Sequence, residues 1–252
     1  MDLIELSWPA VAALSKDTPV VFPIAALEQH GHHLPVFTDS LLLGEIVRRA
    51  KEPLASRVLF APLMWLGSSD HHLDFAGTLS ASPRTYLDLL NGLAENFVLH
   101  GFRRLVFING HGGNDVPGRQ AVFELRQRNR QRDDLLFLLA TYWNLGTKPH
   151  EENSSLHQRE MGHACEWETS MMLRLSPQLV GDYSAATPMD SGTPFAPATR
   201  GWITKERTKS GHIGSPHLAT AEKGEQLFGV FAADVVSLLE RVVRWDGKSW
   251  NG

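Results

Sequence analysis

The 252-residue chain has few of the features that mark secreted, membrane-bound or nucleic-acid-binding proteins. Its single cysteine, Cys165, allows no disulfide within the chain, which favours a reducing compartment. The first residues contain no basic segment followed by an apolar one, so we expect no signal peptide and a cytoplasmic location. No apolar run approaches the ~20 residues that cross a membrane. With a net charge of −4, the chain also lacks the basic surface that binds nucleic acid or anionic lipid.

The chain does contain short apolar runs that alternate with segments of helical periodicity. The runs cover residues 20–24, 58–62, 105–108 and 135–140. They are too short for helices and show no polar alternation, which is typical of strands buried on both faces of a parallel sheet. Apolar residues recur at helical spacing within residues 43–50, 86–97, 121–125 and 231–242. This alternation predicts an α/β fold with a mostly parallel sheet and helices on both of its faces.

Ligands of such a fold bind beyond the carboxyl ends of the strands, and the first predicted strand leads into a loop rich in polar side chains. The loop, residues 26–40, reads "ALEQHGHHLPVFTDS". Glu28 and His30 are two residues apart, so an extended backbone would direct both side chains to one side. Asp39 precedes a predicted helix, where it could cap the helix or serve as a ligand. His32 and His33 are more typical of loop packing or of support for a site.

The third predicted strand leads into "NGHGGN", residues 109–114. Its glycines permit a tight turn that could cradle a phosphate, but the Lys-Ser/Thr pair of a P-loop and the spacing of a dinucleotide motif are absent. His111 therefore favours a metal or catalytic use of the loop. Asn109 and Asn114 could hold the loop by side-chain to backbone hydrogen bonds.

A third polar cluster, "GHACEWETS", covers residues 162–170 and opens a predicted helix. His163, Glu166 and Glu168 could line one site, although acidic residues in a first helical turn also simply offset the helix dipole. The three clusters together supply carboxylates and imidazoles. Such ligands suit Zn, Mn or Fe, and a carboxylate can bridge two ions.

These motifs occur in an order that resembles the creatininase (creatinine amidohydrolase) family. Two further stretches agree: "HLDFAGTLS" at residues 72–80 and "SGHIGSPHLATAEKGE" at residues 210–225. The resemblance implies a three-layer α/β/α sandwich formed by one domain over residues 1–252, a centre of two divalent ions per subunit, and hydrolysis of amide-type C–N bonds. It also implies a homo-oligomer, often a hexamer.

Matched to the family's motifs, Glu28 and His111 correspond to ligands of one ion. His30 corresponds to a ligand of the other ion, and Asp39 to the carboxylate that bridges both. His163 corresponds to the catalytic histidine.

The chain departs from the creatinine-hydrolysing members at two positions. Those members carry an aromatic residue and a glutamate where this sequence has Gly112 and Gly113, so the chain resembles the Asn-Gly-His-Gly-Gly-Asn subgroup instead. We expect Glu168 to supply the missing carboxylate as a metal ligand and catalytic residue, with Glu166 as the alternative.

The sequence therefore predicts a metal-dependent hydrolase that uses an activated water on a cyclic amide, a formamide or a peptide-like small substrate. Two alternatives remain open at this point. One is a nucleotide- or phosphate-binding module that uses the turn at residues 109–114, and the other is a non-catalytic relative. Asp70, His71 and His72 follow another predicted strand end, where they either line the pocket or lie in an exposed loop.

Overall fold

Four parallel strands form the central sheet of the computed structural model, which describes residues 1–152, 154–190 and 192–250. The sheet order is β2-β1-β3-β4. In chain order the strands are β1 Val20–Ile24, β2 Leu59–Phe60, β3 Arg104–Asn109 and β4 Leu136–Thr141. All four predicted strands are therefore confirmed. Strand β2 is shorter than the run at residues 58–62, and Pro62 has no N–H with which to extend the pairing.

The helices of the described residues follow the predicted alternation. They are α1 Trp8–Ala13, α2 Thr38–Leu54, α3 Pro83–Leu99, α4 Asp115–Arg128, α5 Pro149–Glu152, α6 Glu166–Leu175, α7 Thr204–Arg207 and α8 Ala221–Arg244. The four segments of helical periodicity fall within α2, α3, α4 and α8. Gly101 follows α3 with a φ of +90°, the left-handed conformation that glycine adopts most readily after a helix.

Helices cover both faces of the sheet, because successive side chains of each strand point to opposite sides. Val21 and Val106 pack in one apolar cluster with residues of α2, α6 and α8. Val20 and Leu105, one residue earlier in each strand, pack in a second cluster with residues of α3 and α4. The three-layer α/β/α sandwich is confirmed.

The long segments between these helices carry polar loops to one end of the sheet. His163 pairs with Ile213 through two backbone hydrogen bonds of 2.9 and 2.7 Å, which joins the loop before α6 to the loop before α8. Gln29 donates from its side-chain amide to the Gly211 carbonyl and so ties the same loop to the chain after β1. In the part of the chain that the structure describes, no helix is long and apolar enough to span a membrane.

Candidate metal centre

The three polar clusters of the sequence converge at the carboxyl end of the sheet. Glu28 and His30 lie in the loop after β1, and His111 lies two residues beyond β3. Asp39 and Glu168 belong to the first turns of α2 and α6. The side chains are buried, so their charges interact through a medium of low polarity.

Asp39 lies between the two histidines and is not a helix cap. The residue at the cap position of α2 is Phe37, and no side chain there accepts a capping hydrogen bond. Asp39 Oδ1 lies 3.0 Å from His30 Nε2, and Asp39 Oδ2 lies 3.1 Å from His111 Nδ1. One carboxylate thus contacts both imidazoles, and the capping alternative is wrong.

The backbone determines which nitrogen of His111 carries a proton. Its Nε2 lies 3.0 Å from the Ser68 carbonyl oxygen, which can only accept, so Nε2 donates. Nδ1 then faces two carboxylate oxygens, Asp39 Oδ2 at 3.1 Å and Glu28 Oε1 at 3.3 Å. Burial by itself would lower the pKa of His111, but the charges and hydrogen bonds of Glu28 and Asp39 outweigh burial and raise the pKa to about 10.

His30 is held in the same way on the other side of Asp39. Its Nδ1 lies 3.1 Å from the backbone oxygen of Glu28 and donates to it. Its Nε2 faces Asp39 Oδ1 and, at 3.7 Å, Glu168 Oε1. Burial opposes protonation here too, yet the charges of Asp39 and Glu168 raise the pKa of His30 well above its ordinary value.

This arrangement fits divalent metal ions. Each histidine directs a ring nitrogen at two carboxylates, and the raised pKa values show that these carboxylates favour positive charge between the side chains. A metal ion can supply that charge in place of the histidine protons. Glu28 Oε2 is also buried and has no hydrogen-bond partner among the described residues. Nitrogen and carboxylate oxygen donors without thiolates suit Zn, Mn and Fe. Sets of donor atoms that lie within 4.8 Å of one another include Glu28–His30–Asp39 and His30–His163–Glu168.

The two carboxylates in the first turn of α6 have different surroundings. Glu166 accepts hydrogen bonds from the backbone of His157 and Gln158 and from Lys223 Nζ at 2.7 Å. Within the described residues, one oxygen of Glu168 accepts a 3.3 Å hydrogen bond from the Cys165 backbone N–H. The other oxygen faces His30. Glu168 is therefore the carboxylate of this turn that reaches the histidines.

His163 presents a different protonation state from His30 and His111. Its Nε2 lies 2.7 Å from the Gln29 backbone oxygen and donates to it, while Nδ1 lies 3.6 Å from Glu28 Oε1. Burial lowers the pKa of His163 well below its ordinary value, and the charges of His30 and His72 lower it further. The imidazole is therefore neutral, with an unprotonated Nδ1 turned toward the cluster.

Two further residues, Gln29 and His72, complete the site. The sequence left the role of His72 open and gave no role to Gln29. Gln29 donates to the Gly211 carbonyl at 2.9 Å and accepts from the Gly31 N–H at 2.9 Å, which fixes the orientation of its amide. Its Nε2 then donates to His72 Nδ1 at 2.8 Å. His72 Nε2 must then carry the proton, and it lies 3.3 Å from Glu28 Oε1. His72 therefore faces Glu28. In the sequence it is the first residue of the "HLDFAGTLS" motif, and its role was left between lining the pocket and lying in an exposed loop.

The asparagines of the loop at residues 109–114 hold it by the predicted side-chain to backbone hydrogen bonds. Asn109 Nδ2 donates to the His111 carbonyl at 2.7 Å, and Asn114 Nδ2 donates to the Ala25 carbonyl at 3.0 Å. The first residue of the following helix is Asp115, whose negative charge would oppose a phosphate at this helix start. The phosphate-binding alternative gains no support from this geometry.

A cavity of about 950 Å³ opens onto the cluster. Glu28, Asp39, His163 and Glu168 form part of its wall, so water and a small substrate can reach them. Other parts of the wall come from two glycines, two tryptophans and two arginines, namely Gly112, Gly113, Trp143, Trp202, Arg200 and Arg207.

Comparisons with known proteins match this chain to one family. Residues 4–239 match the family described as creatininase, creatinine amidohydrolase. The chain is 31% identical over 251 residues to a mycofactocin precursor peptide peptidase of Mycobacterium tuberculosis, with coverage of 96% of this chain and 91% of the relative. It is 30% identical over 248 residues to a creatinine amidohydrolase of Pseudomonas putida, with coverage of 90% and 91%.

The chain belongs to the creatininase family. A crystal structure of creatinine amidohydrolase superposes with a TM-score of 0.82 and 26% identity, covering 97% of this chain and 98% of that one. Other solved creatininases include a manganese form and a zinc–zinc form of a glutamate-to-glutamine variant. As a member of this creatininase family, the protein is a hydrolase of amide-type C–N bonds with candidate metal ligands in place.

Proposed function

We propose that the protein hydrolyses a linear amide, peptide-like or formamide, with two divalent ions bound per chain. The observation that carries this proposal is the position of Asp39, which contacts His30 through one oxygen and His111 through the other. A carboxylate that uses both oxygens in this way is suited to bridge two ions.

The contacts divide the ligands into two sets that share Asp39. Glu28 and His111 serve one ion, since His111 Nδ1 lies 3.3 Å from Glu28 Oε1. His30 and Glu168 serve the other, with the 3.7 Å separation of His30 Nε2 and Glu168 Oε1 as support. Glu168 then replaces the carboxylate that creatinine-hydrolysing members carry at the position of Gly113.

Zinc and manganese are the favoured metals, because creatininase relatives are known in forms with each. When bound, such ions polarise the amide carbonyl and lower the pKa of water toward roughly 7. His72 supports Glu28 by placing Nε2 3.3 Å from Glu28 Oε1, and the Gln29 amide keeps the proton of His72 on that nitrogen.

His163 moves the proton that C–N cleavage requires. Its neutral Nδ1 can take a proton as water attacks the carbonyl, while Nε2 stays bound to the Gln29 backbone oxygen. The same Nδ1 can then pass this proton to the leaving nitrogen, which converts it into a better leaving group. Burial supports the role, because it keeps the pKa of His163 low and the base unprotonated before reaction.

A linear amide is favoured over creatinine by the shape of the cavity. A Cβ atom on Gly112 would meet no atom within 4 Å, so the cavity is open where creatinine-hydrolysing members have an aromatic side chain. The relative from Mycobacterium tuberculosis is a peptide peptidase, which supports a peptide-like substrate. A homo-oligomer is also part of the proposal, on family resemblance, and sedimentation of the purified protein tests it.

Metal analysis combined with hydrolysis assays tests the proposed function. The chelated protein is reloaded with zinc or manganese, ions per chain are counted by mass spectrometry, and creatinine, N-formyl amines and short peptides are offered as substrates. We expect two ions per chain and cleavage of a linear amide that chelation abolishes. One ion per chain, or turnover that survives chelation, would contradict the proposal. Two ions without turnover of any of these amides would indicate a non-catalytic relative.

A further inference from the structure

Gly113 has no room for any side chain. A Cβ atom at this position would lie 2.1 Å from the Ser68 backbone oxygen, 2.4 Å from His111 Nε2 and 2.9 Å from His71 Cε1. The first of these neighbours is backbone, so it does not move aside as the end of a flexible side chain would. A glutamate here, as in creatinine-hydrolysing members, is excluded by the local packing of this chain.

The His71 imidazole borders the space that a side chain at Gly113 would occupy. It is stacked 5.9 Å from the His111 ring with an interplanar angle of 11°, and it lines the cavity over the cluster. A ring nitrogen of His71, a nitrogen of His111 and an oxygen of Glu28 all lie within 4.8 Å of one another. The His71 and Trp202 rings pack edge to face, with centroids 5.1 Å apart and an interplanar angle of 76°.

His71 and His72 are neighbours in sequence but differ in their contacts. Both nitrogens of His72 are used, since Nδ1 accepts from Gln29 and Nε2 faces Glu28. His71 makes no hydrogen bond to the described residues, so its nitrogens remain available to a ligand. A half-buried imidazole with available nitrogens beside a carboxylate and a second imidazole has the chemistry of a metal ligand.

We propose that His71 is an additional ligand of the ion that Glu28 and His111 hold. The proposal rests on the proposed two-ion function and deepens it. With His71, the first ion is held by Glu28, Asp39, His111 and His71, and the second by Asp39, His30 and Glu168. The first set then carries two imidazoles and the second set one, so the two ions differ in affinity.

The test compares His71→Ala with His32→Ala as a matched control. His32 is an exposed histidine of the loop after β1, outside the metal cluster. Each protein is loaded with Co²⁺, and the release of each ion to a competing chelator is followed together with the visible absorption of bound cobalt. We expect His71→Ala to bind one of its two ions ~10–100-fold more weakly, with a changed cobalt spectrum, while His32→Ala matches the wild type.

A second variant separates ligation from packing. His71→Asp returns a metal-binding group without the imidazole ring, so it should recover part of the lost affinity and a cobalt spectrum distinct from that of His71→Ala. Unchanged affinities and spectra in His71→Ala would overturn the proposal, and a raised KM with both ions retained would instead make His71 a substrate contact. A wild-type protein that never binds two ions would contradict the proposed function itself. That result is obtained without any His71 variant, so the two failures are distinguishable.

Discussion

Two groups of buried histidines lie close together in this molecule and behave differently. His30 and His111 each face carboxylates, and the pKa values of both are raised. His33 and His212, whose rings are 6.3 Å apart, form their hydrogen bonds to hydroxyl and carbonyl groups of the described residues. Burial lowers the pKa of His33 to about 4, and the neighbouring His212 adds to the effect. Burial therefore favours a neutral imidazole, and at His30 and His111 the charges and hydrogen bonds of the carboxylates outweigh burial.

The largest expected effect comes from removing the carboxylate that the two site histidines share. Asp39→Asn keeps the size of the side chain but removes its charge, so His30 and His111 should come to resemble His33. We expect loss of both ions and a fall in hydrolysis of roughly a thousandfold, measured by metal content and initial rates. Asp182→Asn, in an exposed turn, is the control and should retain both ions. Full occupancy in Asp39→Asn would show that the carboxylate is not the source of the difference.

His163 sharpens the comparison, because it lies in the site yet has a lowered pKa like that of His33. If it transfers protons and does not bind metal, His163→Asn should lower kcat by ~10²–10⁴-fold with normal metal content. The kcat and KM values and the ion count are measured on the same preparation. Loss of an ion in this variant would make His163 a ligand, and an unchanged kcat would remove it from the mechanism.

For a change of one pH unit, the pH dependence of metal binding gives the smallest of these effects. With its pKa raised to about 10, His111 keeps a proton in the metal-free protein at neutral pH, and an ion must displace that proton. Raising the pH weakens this competition, so metal affinity should rise by up to about tenfold per pH unit for each proton displaced, below pH 10. Calorimetry in buffers of different ionisation enthalpy counts the released protons. Affinity that is independent of pH between 6 and 9 would contradict the assigned cation site.

The strands and main helices could be predicted from the sequence, because each is encoded by local periodicity. The stripe at residues 43–50 is buried on α2, and the run at residues 20–24 coincides with β1. Glu28, His30, Asp39 and His111 could also be named, with the order of motifs as the guide. The position of Asp39 did not distinguish a helix-capping role from a metal-binding role, since either role places an acidic residue at the start of a helix.

The choice between Glu166 and Glu168 could not be made from the sequence. Both acids lie in one helical turn, and what separates them is Lys223, more than fifty residues further along the chain, which forms an ion pair with Glu166. The roles of Gln29 and His72 could likewise not be predicted from the sequence. The hydrogen bonds that fix the His72 tautomer join the loop after β1 to Gly211 and to the short turn after β2.

The sequence by itself determined the α/β alternation, the family and the set of acids and imidazoles of the candidate metal centre, since these follow from residue type, spacing and order. Only the tertiary structure decided which atoms of that set meet. Asp39 contacts two histidines from different loops, Glu168 reaches His30 while Glu166 does not, and His71 borders the space at Gly113. The physical reason is that protonation and ligand geometry depend on neighbours a few ångströms away, and chain folding brings those neighbours from distant positions.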